Sequence, residues 1–217
     1  MKAAIEKIDS KTLREKVYDQ LRHRIIYGDL LPGHTVTLRN LSDQFGVSVI
    51  PIREALWQLE TEGVIIIERN KYIRVNQLTP PEMNEVLAIR LHLESEVVER
   101  ACEIRPDALI PRLKELLAAM EDSLPNPQDF LIKNSEFHFA IYNEADMPMR
   151  LQIIHQLWAR VGPYLSIHAK DMGTGSYRMK FHHEMLSALE KKDGKALVYA
   201  LQQDLKNAAS YILPYLC

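Results

Sequence analysis

The chain has 217 residues, 47% of them apolar and 26% charged, with a formal net charge of −2 and two cysteines. Such a length is one large domain or two small ones, and such an apolar share buries a core, so a disordered tail is excluded. No apolar run approaches the roughly 18–20 residues of a spanning helix, the opening MKAAIEKIDSKTLREK has no apolar signal core, and Cys102 and Cys217 stand in no CxxC or Cys/His spacing. A cytoplasmic protein is expected, with no membrane partner, no structural zinc and no disulfide framework.

The net charge averages two unlike halves. Residues 1–78 hold 12 Lys/Arg against 10 Asp/Glu, and residues 79–217 hold 15 against 19. This permits a first unit that faces phosphates and a second that does something else.

In chain order, Leu13, Val17, Leu21 and Ile25 recur every four residues and predict a helix over 12–27, ended by Gly28 and Pro32-Gly33. A short helix follows at about 38–45 and Gly46 breaks it. Ser48 is expected to cap a third helix at 49–62, with Pro51 in its first turn and Gly63 just past its end. Two β-type runs, 64–67 and 72–75, are joined across Arg69-Asn70-Lys71 as a hairpin. At Thr79-Pro80-Pro81-Glu82 the prolines suit a helix's first turn, and Thr79 and Glu82 have capping-box spacing, so a new unit starts here. From 80 onward every segment has helical period: 80–103, 107–122, 128–145, 148–170, 175–191 and 194–213. The expected fold is mainly α: a winged helix-turn-helix with a small β-hairpin wing over 1–78, and an all-α six-helix bundle over 79–217. With no long linker between them, the two units should sit close together.

The stretch Leu41-Ser42-Asp43-Gln44-Phe45-Gly46-Val47-Ser48, followed by Pro51-Ile52-Arg53-Glu54-Ala55-Leu56 and Leu59-Glu60-Thr61-Glu62-Gly63-Val64, resembles the DNA-binding domain of the GntR family of bacterial transcriptional regulators. The resemblance covers about residues 12–76. It implies that Arg39 and Arg53 contact DNA and that Ser48 meets a phosphate. The physical logic agrees, because a second helix opening at Ser48 offers its N-terminal residues to the major groove and its amides to a phosphate. Where the family often carries Arg-Thr before the proline, this chain has Val49-Ile50, and Tyr72 stands where a wing-tip glycine is common. Polar base readout is thus thinner, and Val49 and Ile50 are candidates for contact with thymine methyl groups. Lys71 and Arg74 are either phosphate contacts of the wing or solvated charges.

Residues 80–213 resemble the helical ligand-binding domain of the FadR subfamily. The resemblance is carried by Ile89-Arg90-Leu91-His92-Leu93-Glu94, Asn134-Ser135-Glu136-Phe137-His138 and His182-His183-Glu184-Met185-Leu186-Ser187-Ala188-Leu189. In many members an aspartate and three histidines hold a divalent metal that holds an organic-acid effector. On that pattern His138 and His182 match, Asn134 stands for the aspartate and Asp204 for the last histidine. Zinc, nickel or manganese would suit such a donor set.

Independently of the family, Asn134 and His138 are one turn apart on a face with Phe137, Ile141 and Tyr142, His182 precedes Met185 and Leu186, and Asp204 follows Leu201. Four polar groups on apolar faces need partners, either a metal, an anion or a mutual hydrogen-bond network. Arg90 and Glu94, also one turn apart, are either an ion pair or a clamp for an effector carboxylate. Tyr142, Trp158 and Tyr164 either line the same cavity or are plain core.

The expected function is a homodimeric DNA-binding regulator whose affinity for double-stranded operator DNA is set by a small organic acid. Two alternatives stand beside it: a constitutive regulator whose bundle only dimerises, and a metal-dependent helical-bundle enzyme. Against the enzyme, the sequence holds no HExxH motif, phosphate-binding glycine loop or dinucleotide fingerprint.

Overall fold

In the computed structural model, residues 12–68, 72–171 and 179–216 are described. Thr12 opens α1 (Leu13–Ile26) with a capping box to Glu15, and Val17, Leu21, Ile25 and Ile26 form its buried stripe. Thr37 caps α2 (Leu38–Phe45), and Gly46, at φ 63°, makes the left-handed turn out of it that a side chain would resist. The Ser42 hydroxyl donates to the Val47 carbonyl at 2.7 Å across this turn. The next helix, α3 (Val49–Thr61), buries Ile52, Ala55, Leu56 and Leu59.

Ser48 does occupy the N-cap position of α3, but its side chain makes no capping hydrogen bond. The expected side-chain cap is therefore corrected, and the hydroxyl is exposed instead.

The wing is β2 (Ile65–Ile67) paired antiparallel with β3 (Ile73–Val75), and β1 (Thr35–Val36) adds a third antiparallel strand on the far side of β3. Thr35 faces Arg74, and Ile65 faces Val75. A strand of two residues shows too little alternation to be read from sequence.

The capping box of Thr79 and Glu82 starts α4 (Pro80–Ile104). There follow α5 (Leu109–Ser123), α6 (Pro127–Tyr142) with a 3₁₀ turn at Asn143–Ala145, α7 (Pro148–Asp171), α8 (Lys180–Glu190) and α9 (Gly194–Ile212). The segment expected at 175–191 is seen from Lys180, because residues 172–178, Gly173-Thr174-Gly175 among them, lie outside the described residues. Among the described residues no helix is long and apolar enough to cross a membrane.

The core is divided. One apolar cluster joins α1, α3 and the sheet and receives Ala159 from α7, and a second fills the bundle. A third, with Leu78, Met83, Leu157, Val161, Tyr164 and Ile212, seals the junction. There Arg160 Nε donates to the Glu62 carbonyl at 2.8 Å, Arg22 Nη2 to the His155 carbonyl at 2.7 Å, and the Leu78 amide to Tyr164 Oη at 2.6 Å. The helix-turn-helix thus rests along α7, as the absence of a linker predicts.

Candidate functional site

Two sites emerge. The first is the outer face of the helix-turn-helix. Arg39 at the start of α2, and Ser48, Val49, Ile50 and Arg53 at the start of α3, are all exposed on neighbouring elements. Ile50 is 70% exposed, which is unusual for a β-branched residue and leaves an apolar contact surface beside Arg53. Lys71 lies outside the described residues. Arg74 is engaged within the wing, 3.5 Å from Glu68 and 3.3 Å from Gln77 Oε1, which favours a role in holding the hairpin over a contact with phosphate.

The second site is inside the bundle. His138 on α6, His182 on α8 and Asp204 on α9 converge, each offering a ligand atom within 4.8 Å of the others. His138 Nε2 is 3.4 Å from Asp204 Oδ2, and His182 Nδ1 is 4.0 Å from Asp204 Oδ1. Asn134, one turn before His138, sets its amide oxygen Oδ1 2.8 Å from His182 Nε2. An amide oxygen only accepts, so Nε2–H donates to it and Nδ1 is left as the lone-pair nitrogen facing Asp204. Burial alone would raise the Asp204 carboxyl, but His182, His138 and Arg90 outweigh it and hold the group below its ordinary value.

These residues fit a divalent ion. Zinc bound at about 2.0–2.2 Å in tetrahedral geometry spaces its donors roughly 3.3 Å apart, close to the His138–Asp204 separation and reached at His182 by a small closure. His138 Nε2 is buried and faces Asp204 Oδ2 at 3.4 Å without a well-aligned hydrogen bond, an arrangement that an ion between the two would complete.

Behind this trio sits a second network. Arg90 Nε donates to Glu94 Oε1 at 2.5 Å and Nη2 to Oε2 at 3.3 Å, and both residues are buried. Burial would lower the Arg90 pKa, but the Glu94 carboxylate outweighs it and keeps the guanidinium charged. Tyr142 Oη donates to Glu94 Oε2 at 2.5 Å and meets His138 Nδ1 at 3.1 Å, so one chain of hydrogen bonds runs Arg90, Glu94, Tyr142, His138. Burial, and then the Glu94 charge, push the Tyr142 hydroxyl well above its ordinary pKa, so it remains a donor.

A cavity of about 60 Å³ opens beside His182, lined by Arg90, Asn134, Trp158, Asp204 and Asn207 with apolar neighbours. Trp158 lies under the Arg90 guanidinium, 4.8 Å from Cζ to ring centroid, and its buried Nε1 has no hydrogen-bond partner among the described residues. Tyr142 does not line this cavity. It is fully buried behind it, and Tyr164 belongs to the junction. The i, i+4 spacing made the Arg90–Glu94 pair legible, whereas the 48 residues between Glu94 and Tyr142 hid its third member.

Comparison with known proteins bears on both sites. Residues 13–75 match the family described as bacterial regulatory proteins, gntR family, and residues 85–207 match the FCD domain. The HTH-type transcriptional regulator McbR of Escherichia coli (strain K12) is 28% identical over 201 residues, which cover 91% of each chain. The gluconate operon transcriptional repressor of Bacillus subtilis (strain 168) is 26% identical over 200 residues, covering 87% of this chain and 80% of its own. The solved structure of E. coli McbR/YncC superposes with a TM-score of 0.89 at 26% identity, over 95% of this chain and 99% of that one.

Proposed function

The chain belongs to the gntR family of bacterial regulatory proteins, a DNA-binding transcriptional regulator and not an enzyme, and from that premise we propose that it couples operator binding to a small carboxylate-bearing effector held in its FCD domain. Residues 1–78 are the DNA-binding unit and residues 79–217 the effector-binding and dimerisation unit. Arg39, Ser48 and Arg53 contact the operator backbone or bases, and Val49 and Ile50 meet thymine methyl groups. His138, His182 and Asp204, with Asn134 as the weakest donor, hold zinc, nickel or manganese, which supplies a Lewis-acidic anchor for an anionic oxygen.

The observation that carries this reading is the position of Arg90 and Trp158 on the same cavity as His182 and Asp204, two members of the His/His/Asp cluster. Two of the five guanidinium donors serve Glu94, so the rest of the fork is available to an anion. Trp158 Nε1–H adds an uncharged donor. The cavity is far below the roughly 300–1,000 Å³ of drug-sized pockets, so the effector is a compact acid. A C2 homodimer would present two helix-turn-helix units to two half-sites.

The test is selection of bound duplexes from a randomised library with the purified full chain, then gel-shift titration of the recovered duplex with small mono- and dicarboxylates, with and without zinc, nickel or manganese. An acid that shifts operator affinity in the wild type but not in His182→Ala supports the reading. If no acid moves the affinity under any metal condition, the protein is a constitutive regulator.

A further inference from the structure

Trp57 lies outside the residues that the sequence assigned to DNA, yet it is 57% exposed on α3, one turn beyond Arg53 and two beyond Ile50. Scattered exposed apolar residues are ordinary. Here Val49, Ile50, Trp57 and Tyr72 are exposed together on the face that carries Arg39 and Arg53, and a clustered patch of this kind marks a contact surface. Between α3, the start of α2 and the wing runs an open groove of about 650 Å³, lined by Arg39, Arg53, Trp57, Ile67, Glu68 and Tyr72. Glu68 is turned toward Arg74 at 3.5 Å, so the two arginines set the sign of the groove.

We propose that this groove seats one sugar-phosphate strand of duplex DNA, with Trp57 and Tyr72 packed against deoxyribose and Arg39 and Arg53 paired with the flanking phosphates. The inference rests on the reading of this unit as DNA-binding. Its geometry follows from the helix: at a rise of about 1.5 Å per residue, Trp57 lies roughly 10 Å along α3 from Ile50. The major groove is about 8.5 Å deep, so with the N-terminal end of α3 at the base edges, Trp57 stands at the groove rim, where the strand passes. A sugar-phosphate strand carries apolar rings and charges side by side, and this groove offers two aromatic rings and two guanidinium groups together. A contact of this kind fixes register without reading sequence.

The inference separates two terms that an arginine contact merges. Phosphate pairing releases counterions and depends steeply on salt, whereas sugar packing does not. On a duplex recovered by library selection with wild-type protein, Trp57→Ala should bind about tenfold more weakly at every salt concentration between about 50 and 200 mM, with the salt slope unchanged. Trp57→Phe should recover most of the loss, and Arg53→Ala should flatten the slope by about one. A direct readout uses the wild type alone. Trp57 is exposed and Trp158 buried, so iodide-quenchable fluorescence belongs to Trp57 and should be lost on saturation with the duplex. Wild-type affinity in Trp57→Ala, a slope flattened as in Arg53→Ala, or undiminished iodide quenching in the complex would each overturn the groove assignment while leaving DNA binding intact. If no duplex is recovered from the library, the DNA-binding reading fails and the groove assignment falls with it.

Discussion

Gly162 of α7 lies against Ile26 of α1 so closely that a Cβ on the glycine would stand 2.7 Å from Ile26 Cγ2 and 3.0 Å from its Cα and carbonyl oxygen. This is where the bundle grips the helix-turn-helix, and the same helix carries Trp158 of the bundle cavity. One element therefore lines the cavity and supports the helix-turn-helix from behind, so a ligand in that cavity would have a physical route to the DNA-reading unit.

Gly162→Ala sets two effects against each other. Alanine is favoured over glycine inside a helix by about 1 kcal/mol. Overpacking against a backbone that cannot retreat costs about 1–3 kcal/mol, so a net loss of about 1 kcal/mol is expected. It would appear as a lower urea midpoint at unchanged m-value, and a raised midpoint would show that α1 and α7 part freely.

Arg53→Ala should weaken binding to the selected operator by about 1–3 kcal/mol without moving the melting temperature, since the side chain is exposed. Equal affinity at matched salt would take Arg53 off the interface.

Punctuation made the architecture legible. Gly46 does mark the turn of the helix-turn-helix, and Thr79-Pro80-Pro81-Glu82 does open α4 with its capping box. Signals of two residues or none were not legible, such as β1, and so was anything set by tertiary contact. Ser48 has the right residue type for a cap and the right position, but whether its hydroxyl turns to the helix amides or to solvent is a rotamer choice invisible in sequence. Arg160 and Glu62, 98 residues apart, meet only because Ala159 and Gly162 let α7 approach. In the bundle, helical period put the histidines, Asn134 and Asp204 each on an apolar face of its own helix, while their grouping came from the family resemblance, and they stand near one another in the structure. It could not say that Tyr142 would turn away from the cavity to satisfy Glu94.

The capping box at α4 gives a pH prediction. The Thr79 backbone amide and then its hydroxyl donate to the Glu82 carboxylate and lower its pKa from 4.5. A carboxyl depressed in the folded state contributes stability above its unfolded pKa and loses it as pH falls through the folded value. Glu82→Ala should therefore melt below wild type near neutral pH, and the gap should narrow as the pH is taken well below 4.5. A gap that is constant across this range would show that the charge of the carboxylate does not carry the effect.

Arg90 and Glu94 form a buried pair, so removing one partner strands the other. Arg90→Ala should cost about 3–5 kcal/mol, and Arg90→Met with Glu94→Leu should regain more than half of it. This bears on the effector: loss of response in Arg90→Ala alone would be confounded by instability, whereas a folded double variant that binds operator and ignores the acid isolates the clamp. A double variant that still responds would move the effector contact to Trp158 and the metal cluster.

The metal cluster makes the sharpest prediction, because its donors come from three helices. An ion shared by His138, His182 and Asp204 would cross-link α6, α8 and α9 and raise the melting temperature by mass action, and chelation would lower it. His182→Ala should abolish most of the shift. Asn134→Ala should change it little, since the amide is the weakest donor. Asn134→Asp should enlarge it by either of two routes, as an added anionic ligand or as a stronger acceptor for His182 Nε2–H that makes Nδ1 more basic. The routes separate by pH: an added carboxylate ligand keeps its advantage as the pH is lowered into the mildly acidic range, whereas a more basic imidazole also holds protons more tightly and loses its advantage there. If zinc, nickel and manganese all leave the melting temperature of chelator-treated protein unmoved at neutral pH, the four side chains are a hydrogen-bonded network, and an effector anion would be held by Arg90 and Trp158 without an ion.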